Sequence, residues 1–219
     1  MIIICGGIKG GGGKTTIALN LGIMRGLSGK DVLLVDADSI DNGNASDFSA
    51  LRDEVLDKKY YTHVKINGKA IAKDIPSMAG KFDDIIIDVG GQDSLSQRAA
   101  LTIADKLLIP VFPSSFDMWV IDSVSKLVEE VALINPKLQA YCFLNRADNS
   151  GTQNEETAHI LKEDFSNITY LNTIIQNRKV FRTACANGLS IVEFKPKNTK
   201  AIEEINFLYQ QVFIEQFDN

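Results

Sequence analysis

One glycine-rich segment near the N-terminus constrains the fold of this chain more than any other part of the sequence. The run Lys9-Gly10-Gly11-Gly12-Gly13-Lys14-Thr15-Thr16 lies between the apolar stretch Ile2–Cys5 and a helical pattern that begins near Ile17. A strand, a glycine loop and a helix in this order are the context of a phosphate-binding loop. Glycines let consecutive backbone N–H groups face one anion, and the helix adds its positive N-terminal end.

The loop and the first turn of the helix supply the predicted nucleotide contacts. In such a loop Lys14 reaches the β- and γ-phosphates, and the hydroxyl of Thr15 contacts Mg²⁺. The predicted contacts with the nucleotide are Gly10, Gly11, Gly12, Gly13, Lys14, Thr15 and Thr16.

A second lysine distinguishes this loop from the strict phosphate-loop pattern. In G-x-x-x-x-G-K-[ST] the first glycine falls at Ile8, and Lys9 stands beside it. Lys9 and Lys14 bracket the glycines, which resembles the deviant Walker A motif of the ParA/MinD family of ATPases, and most of all the small ParA/ParF-type plasmid partition ATPases. The resemblance implies an ATPase that binds ATP or ADP with Mg²⁺ and forms a sandwich homodimer with ATP. It also implies that Lys9 reaches phosphates bound by the other protomer.

The composition is that of a soluble globular protein. The 219 residues fit one P-loop ATPase domain over 1–219, with 45% hydrophobic and 23% charged residues. No apolar stretch approaches the roughly 20 residues that span a bilayer, and the N-terminus does not read as a signal peptide. Only eight residues precede Lys9. We therefore expect a cytoplasmic protein without the N-terminal DNA-reading domain of some ParA relatives.

Charge and cysteine content exclude several functions. A net charge of −5 argues against a protein that coats nucleic acid along its whole surface, while a local basic patch stays compatible with it. Cys5, Cys142 and Cys185 show no C-x-x-C spacing, so zinc and iron–sulfur sites are not expected. A nitrogenase-reductase-like protein would need bridging cysteines, and a simple ligase would leave Lys9 unexplained.

Short apolar runs alternate with helical patterns, which predicts a doubly wound α/β fold with a mostly parallel sheet and helices on both faces. The predicted strands are Ile2–Cys5, Val32–Val35, an edge strand at Tyr61–Ile66, Ile85–Asp88, Lys106–Val111, Gln139–Asn145 and Tyr170–Ile175. The predicted helices are Lys14–Leu27, Ala45–Leu56, Lys69–Ala79, Ser94–Ala104, Trp119–Leu133, Glu155–Phe165, Val180–Ala186 and Thr199–Phe213.

Two aspartates follow the strand predicted at Val32–Val35. Asp36 and Asp38 stand two residues apart at its carboxyl end, where they would face bound phosphates. One can support the metal while the other orients a water for attack on the γ-phosphate. The family resemblance gives the water to Asp38. A helix cap or an ordinary strand-end turn is the alternative.

A third aspartate ends the apolar run Ile85–Ile87 in a Walker B pattern. Asp88 would hold Mg²⁺ through water, and Gly90-Gly91, which follow after Val89, would let a switch segment move. The metal candidates are Thr15, Asp36 and Asp88. The catalytic candidates are Lys9, Lys14 and Asp38.

The base of the nucleotide is expected near the ends of the last strands. In relatives an Asn or Arg at the position of Asn145 and Arg146 lies against adenine, and a guanidinium stacks well on a base. A surface loop is the alternative. The stretch that begins at Gln176 closes the adenine pocket in relatives, which usually have proline at that position.

The surface that an ATP switch would control is less defined. ParA-like binding of DNA without sequence preference needs exposed cations, and the candidates are Arg178, Lys179, Arg182, Lys195, Lys197 and Lys200. A solvated loop and helix face is the alternative for these residues. The predicted partners are a small ParB-like centromere-binding or adaptor protein that stimulates slow hydrolysis, and the nucleoid in the ATP state.

Two further alternatives concern the cargo and the membrane. A related positioning ATPase could act on a protein cargo or a conjugation apparatus with the same active-site residues. A MinD-like membrane helix would need a basic face, whereas the C-terminal helix pattern carries Glu203 and Glu204. We therefore expect that helix to pack on the sheet.

Overall fold

The computed structural model describes residues 1–38, 45–91, 94–148 and 152–214. Within these ranges the strands are β1 (Ile2–Cys5), β2 (Val32–Asp36), β3 (Thr62–Lys65), β4 (Asp84–Asp88), β5 (Lys106–Val111), β6 (Gln139–Ala147) and β7 (Thr169–Gln176). They form a parallel sheet in the order β3-β2-β4-β1-β5-β6-β7. The predicted edge strand is β3, and its burial is correspondingly partial.

Helices cover both faces of the sheet, as the alternating pattern predicts. They are α1 (Lys14–Leu27), α2 (Ala45–Val55), α3 (Ala70–Met78), α4 (Leu95–Leu101), α5 (Ser115–Ala132), α6 (Thr152–Glu163), α7 (Lys179–Cys185) and α8 (Thr199–Phe213), with a 3₁₀ turn at Ala79–Lys81. Helices α1, α2, α7 and α8 share one hydrophobic core with the sheet, and α3 to α6 share the other. The doubly wound α/β prediction is confirmed.

Several element boundaries differ from the prediction. Helix α5 begins at Ser115 instead of Trp119, directly after an extended Ser114, and α6 begins at Thr152 instead of Glu155. Helix α4 is shorter at both ends, since the Ser94 side chain accepts from the N–H of Gln97 and caps it. Polar residues at a helix start read as loop in sequence, although they serve as its first turn or its cap.

Helix α8 packs its apolar side on the sheet, as expected. Ala201, Ile205, Leu208 and Val212 are buried, and the helix contacts β7. Its N-terminus is capped by Asn198, whose side chain accepts from Ala201 N–H at 3.0 Å. The described helices include none that is long and apolar enough to cross a membrane.

Candidate nucleotide-binding site

The glycine loop runs from the end of β1 into α1 and requires two left-handed residues. Gly11 has φ 79° and Gly13 has φ 88°, conformations that favour glycine. A Cβ on Gly13 would lie 2.4 Å from Asn145 Nδ2. The loop therefore needs glycine at this position both for its backbone and for the neighbour it touches.

Lys14 lies buried in the mouth of this loop. Its side chain is 7% exposed, and Nζ donates to the carbonyl oxygen of Lys9 at 2.7 Å. Burial lowers the pKa of Lys14, and the carboxylates of Asp88 and Asp38 act in the opposite direction. The structure thus brings Lys14 and two of the predicted acidic residues into one electrostatic group.

Asp88 is buried among these charged groups. The parallel register places it beside Cys5 on β1 and Asp36 on β2, and it is fully buried. Burial raises its pKa to about 7; a hydrogen bond with Thr15 opposes this rise, and the charge of Asp36 adds to it. Its Oδ1 is buried without a hydrogen-bond partner in the described part of the chain. A buried carboxylate oxygen beside a threonine hydroxyl fits the oxygen ligands that Mg²⁺ or its water requires.

Asp36 has a different environment from the one predicted. Its Oδ1 accepts from Asp38 N–H at 3.1 Å, and its Oδ2 accepts from the N–H and the hydroxyl of Ser46 at the start of α2. These contacts are the strand-end turn and helix cap that stood as the alternative reading. Both oxygens of Asp36 thus accept protein hydrogen bonds, and its role as a metal ligand stays a prediction.

Asp38 and the glycines after β4 meet at the loop. A Cβ on Gly90 would lie 2.8 Å from Asp38 Oδ1, and one on Gly91 would lie 2.5 Å from Gly10 Cα. The segment after Asp88 therefore touches both the glycine loop and the predicted water-orienting carboxylate. Side chains larger than glycine would separate these three segments.

Lys9 is exposed at the rim of the loop. It borders an apolar cleft of about 260 Å³ between the loop and the end of β5, whose lining includes Phe112, Val120 and Ile121. Lys9 and Lys14, at the two ends of one glycine loop, therefore differ sharply in exposure.

A second cleft of about 500 Å³ extends from the glycine loop to the ends of β6 and β7. We call its two parts the loop end, lined by Gly10, Gly11, 13–17, Asp38 and 89–91, and the far end, lined by Asn145, Arg146, 175–178, Phe181 and Arg182. Asn145 Nδ2 donates to Gly12 O at 2.7 Å, and Arg146 Nη1 donates to Gly11 O at 2.6 Å. The residues predicted to contact adenine are thus bound to the glycine loop itself.

Arg178 lies in this cleft and not on a separate DNA-binding surface. Its guanidinium donates to both carboxylate oxygens of Glu204, with Nη2–Oε1 at 2.7 Å and Nε–Oε2 at 3.2 Å, and it also donates to Gln176 Oε1. Gln176 N–H donates to the same carboxylate at 3.2 Å. In the structure this guanidinium is paired with Glu204 and Gln176 inside the cleft, and its contact with DNA stays a prediction.

The other predicted DNA contacts are exposed. Lys179 and Arg182 lie on α7, and Lys195, Lys197 and Lys200 lie just before and at the start of α8. The contact of Glu204 with β7 places the first turns of α8 at the carboxyl end of the sheet, which is the edge that carries the glycine loop. The basic run therefore shares an edge with the nucleotide cleft.

Three residues of the site have no local signal in the sequence. Ser46 binds Asp36, Glu204 holds Arg178, and the buried Gln97 on α4 accepts from Gly7 N–H at 3.1 Å. Each acts across a long stretch of chain. Only the pairing of sheet strands with the helices above them brings these residues to the loop.

A strand, a glycine loop that turns through two left-handed residues, a buried lysine and a buried strand-end aspartate define a P-loop nucleotide-binding protein. The CobQ/CobB/MinD/ParA nucleotide binding domain model matches residues 2–191. The chain belongs to this family, as the sequence resemblance predicts.

Individual relatives agree with this assignment. The maintenance of carboxysome distribution protein A of Halothiobacillus neapolitanus is 27% identical over 214 residues, covering 94% of this chain and 93% of that protein. Among solved structures, the MinC:MinD cell division protein complex of Aquifex aeolicus matches with a TM-score of 0.77 at 21% identity, over 100% of this chain and 98% of the other. A putative plasmid partition protein of Borrelia burgdorferi B31, bound to AMPPNP, matches with a TM-score of 0.70 at 19% identity, over 97% and 98%. At these identities the structural matches establish the fold.

Proposed function

We propose that this protein is a ParA-type ATPase that forms an ATP-dependent sandwich dimer, binds DNA without sequence preference and drives the partition of a plasmid or chromosome. The observation that carries this proposal is Lys9, which is exposed at the rim of the loop while Lys14 is buried within it. Two lysines with such different burial serve two sites. Lys14 belongs to the phosphates of its own protomer, and Lys9 to those of the other.

Mg²⁺ with ATP or ADP is the proposed ligand. Thr15 and the unpartnered Oδ1 of Asp88 would hold the cation, directly or through water, and Mg²⁺ would supply neutralisation of phosphate charge during hydrolysis. Asp38, beside Gly90 and near Lys14, would orient the attacking water. Hydrolysis is slow in this proposal because a single protomer lacks the charge of the second lysine.

Two substitutions separate binding from dimerisation. Lys9→Ala should bind ATP yet stay monomeric, whereas Asp38→Ala should dimerise with ATP and fail to hydrolyse it. Size-exclusion chromatography with light scattering in ATP and in ADP measures dimerisation, and phosphate release measures hydrolysis. Monomeric elution of both wild type and Asp38→Ala in ATP would contradict the dimer.

The basic run at the start of α8 tests the DNA part of the proposal. Replacing Lys195, Lys197 and Lys200 by glutamine should abolish ATP-dependent retention on non-specific DNA, which for wild type should fall steeply with salt. Replacing Lys73, Lys81 and Lys162 is the matched control, since these exposed lysines belong to elements on the opposite face of the sheet. Equal losses of DNA retention in both triple variants would show that the basic run is not the DNA-binding surface.

A second candidate function is the positioning of a protein cargo. The carboxysome distribution relative favours it, since that protein is similar along nearly its whole length. Both functions use the same nucleotide site and require an adaptor or centromere-binding partner. Nucleoid association of the fluorescently tagged protein in ATP, with or without a resident plasmid, distinguishes a DNA cargo from a protein cargo.

A MinD-like membrane role has less support. The apolar face of α8 is already buried against β7 and the neighbouring helices of its layer. Membrane insertion would require this face to leave the core. Flotation with anionic vesicles in ATP should therefore leave the protein in the soluble fraction.

A further inference from the structure

The buried carboxylate of Asp36 binds both the N–H of Asp38 and Ser46 at the start of α2. Asp36, which is fully buried, accepts from Asp38 N–H through Oδ1 in an Asx-type turn. Through Oδ2 it accepts from Ser46 N–H at 3.1 Å and from the Ser46 hydroxyl. The backbone N–H of Asp38 and residue Ser46 are therefore bound by the same carboxylate.

Ser46 occupies the first turn of α2, where helix N–H groups lack partners within the helix. The carboxylate of Asp36 satisfies one of these groups and faces the positive end of the helix. The hydroxyl of Ser46 also lies 3.3 Å from Nε2 of His63 on β3. Ser46 Oγ is thus placed between a carboxylate that it donates to and an imidazole that can donate to it.

The position of Asp38 next to Gly90 connects the contacts of Asp36 and Ser46 with the proposed hydrolysis. A Cβ on Gly90 would lie 2.8 Å from Asp38 Oδ1. A small rotation of the turn at 36–38 would therefore move the Asp38 carboxylate towards the segment that follows β4 or away from it. A water-orienting group acts only within a few tenths of an ångström of its productive position. Fixing the turn therefore affects hydrolysis more than nucleotide binding, which depends on the glycine loop and Lys14.

We propose that Ser46 is a positioning residue for nucleotide hydrolysis, which acts through Asp36 to set the orientation of Asp38. This inference rests on the proposed ATPase activity. Ser46 itself touches Asp36 and His63 in the structure, so its effect on the reaction is transmitted and not direct.

The chain offers a matched control on the same helix. Ser49 lies three residues further along α2, is buried, and bonds Ala45 O at 2.7 Å and Tyr61 Oη at 3.0 Å. Ser49→Ala removes the same hydroxyl from the same helix without touching Asp36. A general weakening of α2 would appear in both variants, whereas the proposed effect appears only in Ser46→Ala.

The experiment compares Ser46→Ala, Ser46→Thr and Ser49→Ala in single-turnover ATP hydrolysis, with nucleotide affinity measured separately by fluorescent-nucleotide titration. Loss of one charge-assisted hydrogen bond should lower the turnover rate of Ser46→Ala by about tenfold and change the Kd for ATP by less than about twofold. Ser46→Thr keeps the hydroxyl and should retain most of the wild-type rate. Ser49→Ala should hydrolyse ATP like wild type.

Amide exchange supplies a readout that does not depend on turnover. In Ser46→Ala the N–H of Asp38, measured by NMR on labelled protein, should exchange faster than in wild type, with no such change in Ser49→Ala. If wild type binds ATP without hydrolysing it, the ATPase proposal fails, and the exchange of Asp38 alone decides the positioning role. If Ser46→Ala does not fold, Ser46→Cys, which keeps the volume but donates weakly, takes its place.

Three results would overturn the inference. The first is a wild-type rate in Ser46→Ala, and the second is an equal loss of rate in Ser49→Ala. The third is unchanged exchange of the Asp38 amide in Ser46→Ala.

Discussion

At the loop end of the cleft most of the groups come from one unbroken segment, whereas at the far end they come from β6, β7, α7 and, through Glu204, α8. The loop end needs only that a strand, a glycine run and a helix follow one another. The far end needs strands that lie far apart in the chain to pair in register. The first part is therefore readable from a short sequence window, and the second is not.

The two ends also differ in how deeply their charged side chains are buried. The loop end holds Lys14 and Asp88 almost without solvent, and burial lowers the pKa of the lysine and raises that of the aspartate. The far end keeps its ion pair between Arg178 and Glu204 partly exposed, with 18% and 15% of the two side chains accessible. Solvent screening lowers the desolvation penalty of each charge at the far end, and it also lowers the stabilisation that the ion pair contributes. Substitutions of these charges should accordingly change ATP affinity more at the loop end.

The largest effect is expected from Lys14→Gln. The substitution removes the buried charge that faces the phosphates, and ATP affinity should fall by about a hundredfold or more, as expected for lost charge-assisted contacts. Isothermal titration with ATP measures it. Lys200→Gln is the control, since this lysine is exposed outside the cleft. A Kd within a few-fold of wild type in Lys14→Gln would mean that the buried lysine does not contact the nucleotide.

A smaller, selective effect is expected from Arg178→Ala. It breaks the pair with Glu204 and releases Gln176, so ATP should bind roughly tenfold more weakly while tripolyphosphate binds as before. Competition between the two ligands and a labelled nucleotide measures this ratio. Equal losses for ATP and tripolyphosphate would show that the far end does not contact the base, and Lys179→Ala is the control, since this neighbouring lysine is exposed and does not line the cleft.

The smallest effect concerns Asp88 and pH. Its folded pKa of about 7 lies above the ordinary value of 3.8 because of burial, so between these pH values the folded protein holds a proton that the unfolded chain releases. Wild-type stability should therefore fall as pH rises from about 4 to about 7 relative to Asp88→Asn, which does not titrate.

The comparison is made by thermal melts without nucleotide or metal. At pH 8 Asp88→Asn should melt above wild type by about 4 °C, and the difference should shrink towards pH 5. Asp84→Asn is the control on the same strand, because its aspartate is buried in an ion pair with Arg25 at 2.6 Å and its loss should lower the melting temperature. A pH-independent difference between wild type and Asp88→Asn would exclude the buried charge as its cause.

Much of the fold followed from the sequence. The bounds of β1, β5, α1 and α8 match their predicted ranges, because each has an unbroken apolar pattern of strand or helix period. The start of α5 was missed because Pro113, Ser114 and Ser115 read as a turn, whereas the helix begins at Ser115 directly after the extended Ser114.

The candidate site was predicted unevenly for the same physical reason. Lys14, Thr15 and Asp88 do meet, since strand ends in a parallel sheet share one edge. Nothing around the adjacent basic residues Arg178 and Lys179 indicates Glu204, which lies 26 residues further along and binds Arg178 in the structure. Nothing near Asp36 in the chain indicates that Ser46, ten residues later, binds it, and its role at the metal stays a prediction.

The sequence alone determined that the chain forms a P-loop α/β domain with a second lysine at the loop, because hydrophobic period and glycine spacing act over a few residues. Only the tertiary structure decided which charges are buried, which are paired, and which face solvent. Lys9 and Lys14 are the same residue type five positions apart, yet one is exposed and the other is 7% accessible. Burial depends on the strands and helices that pack around each side chain, and those come from distant parts of the chain.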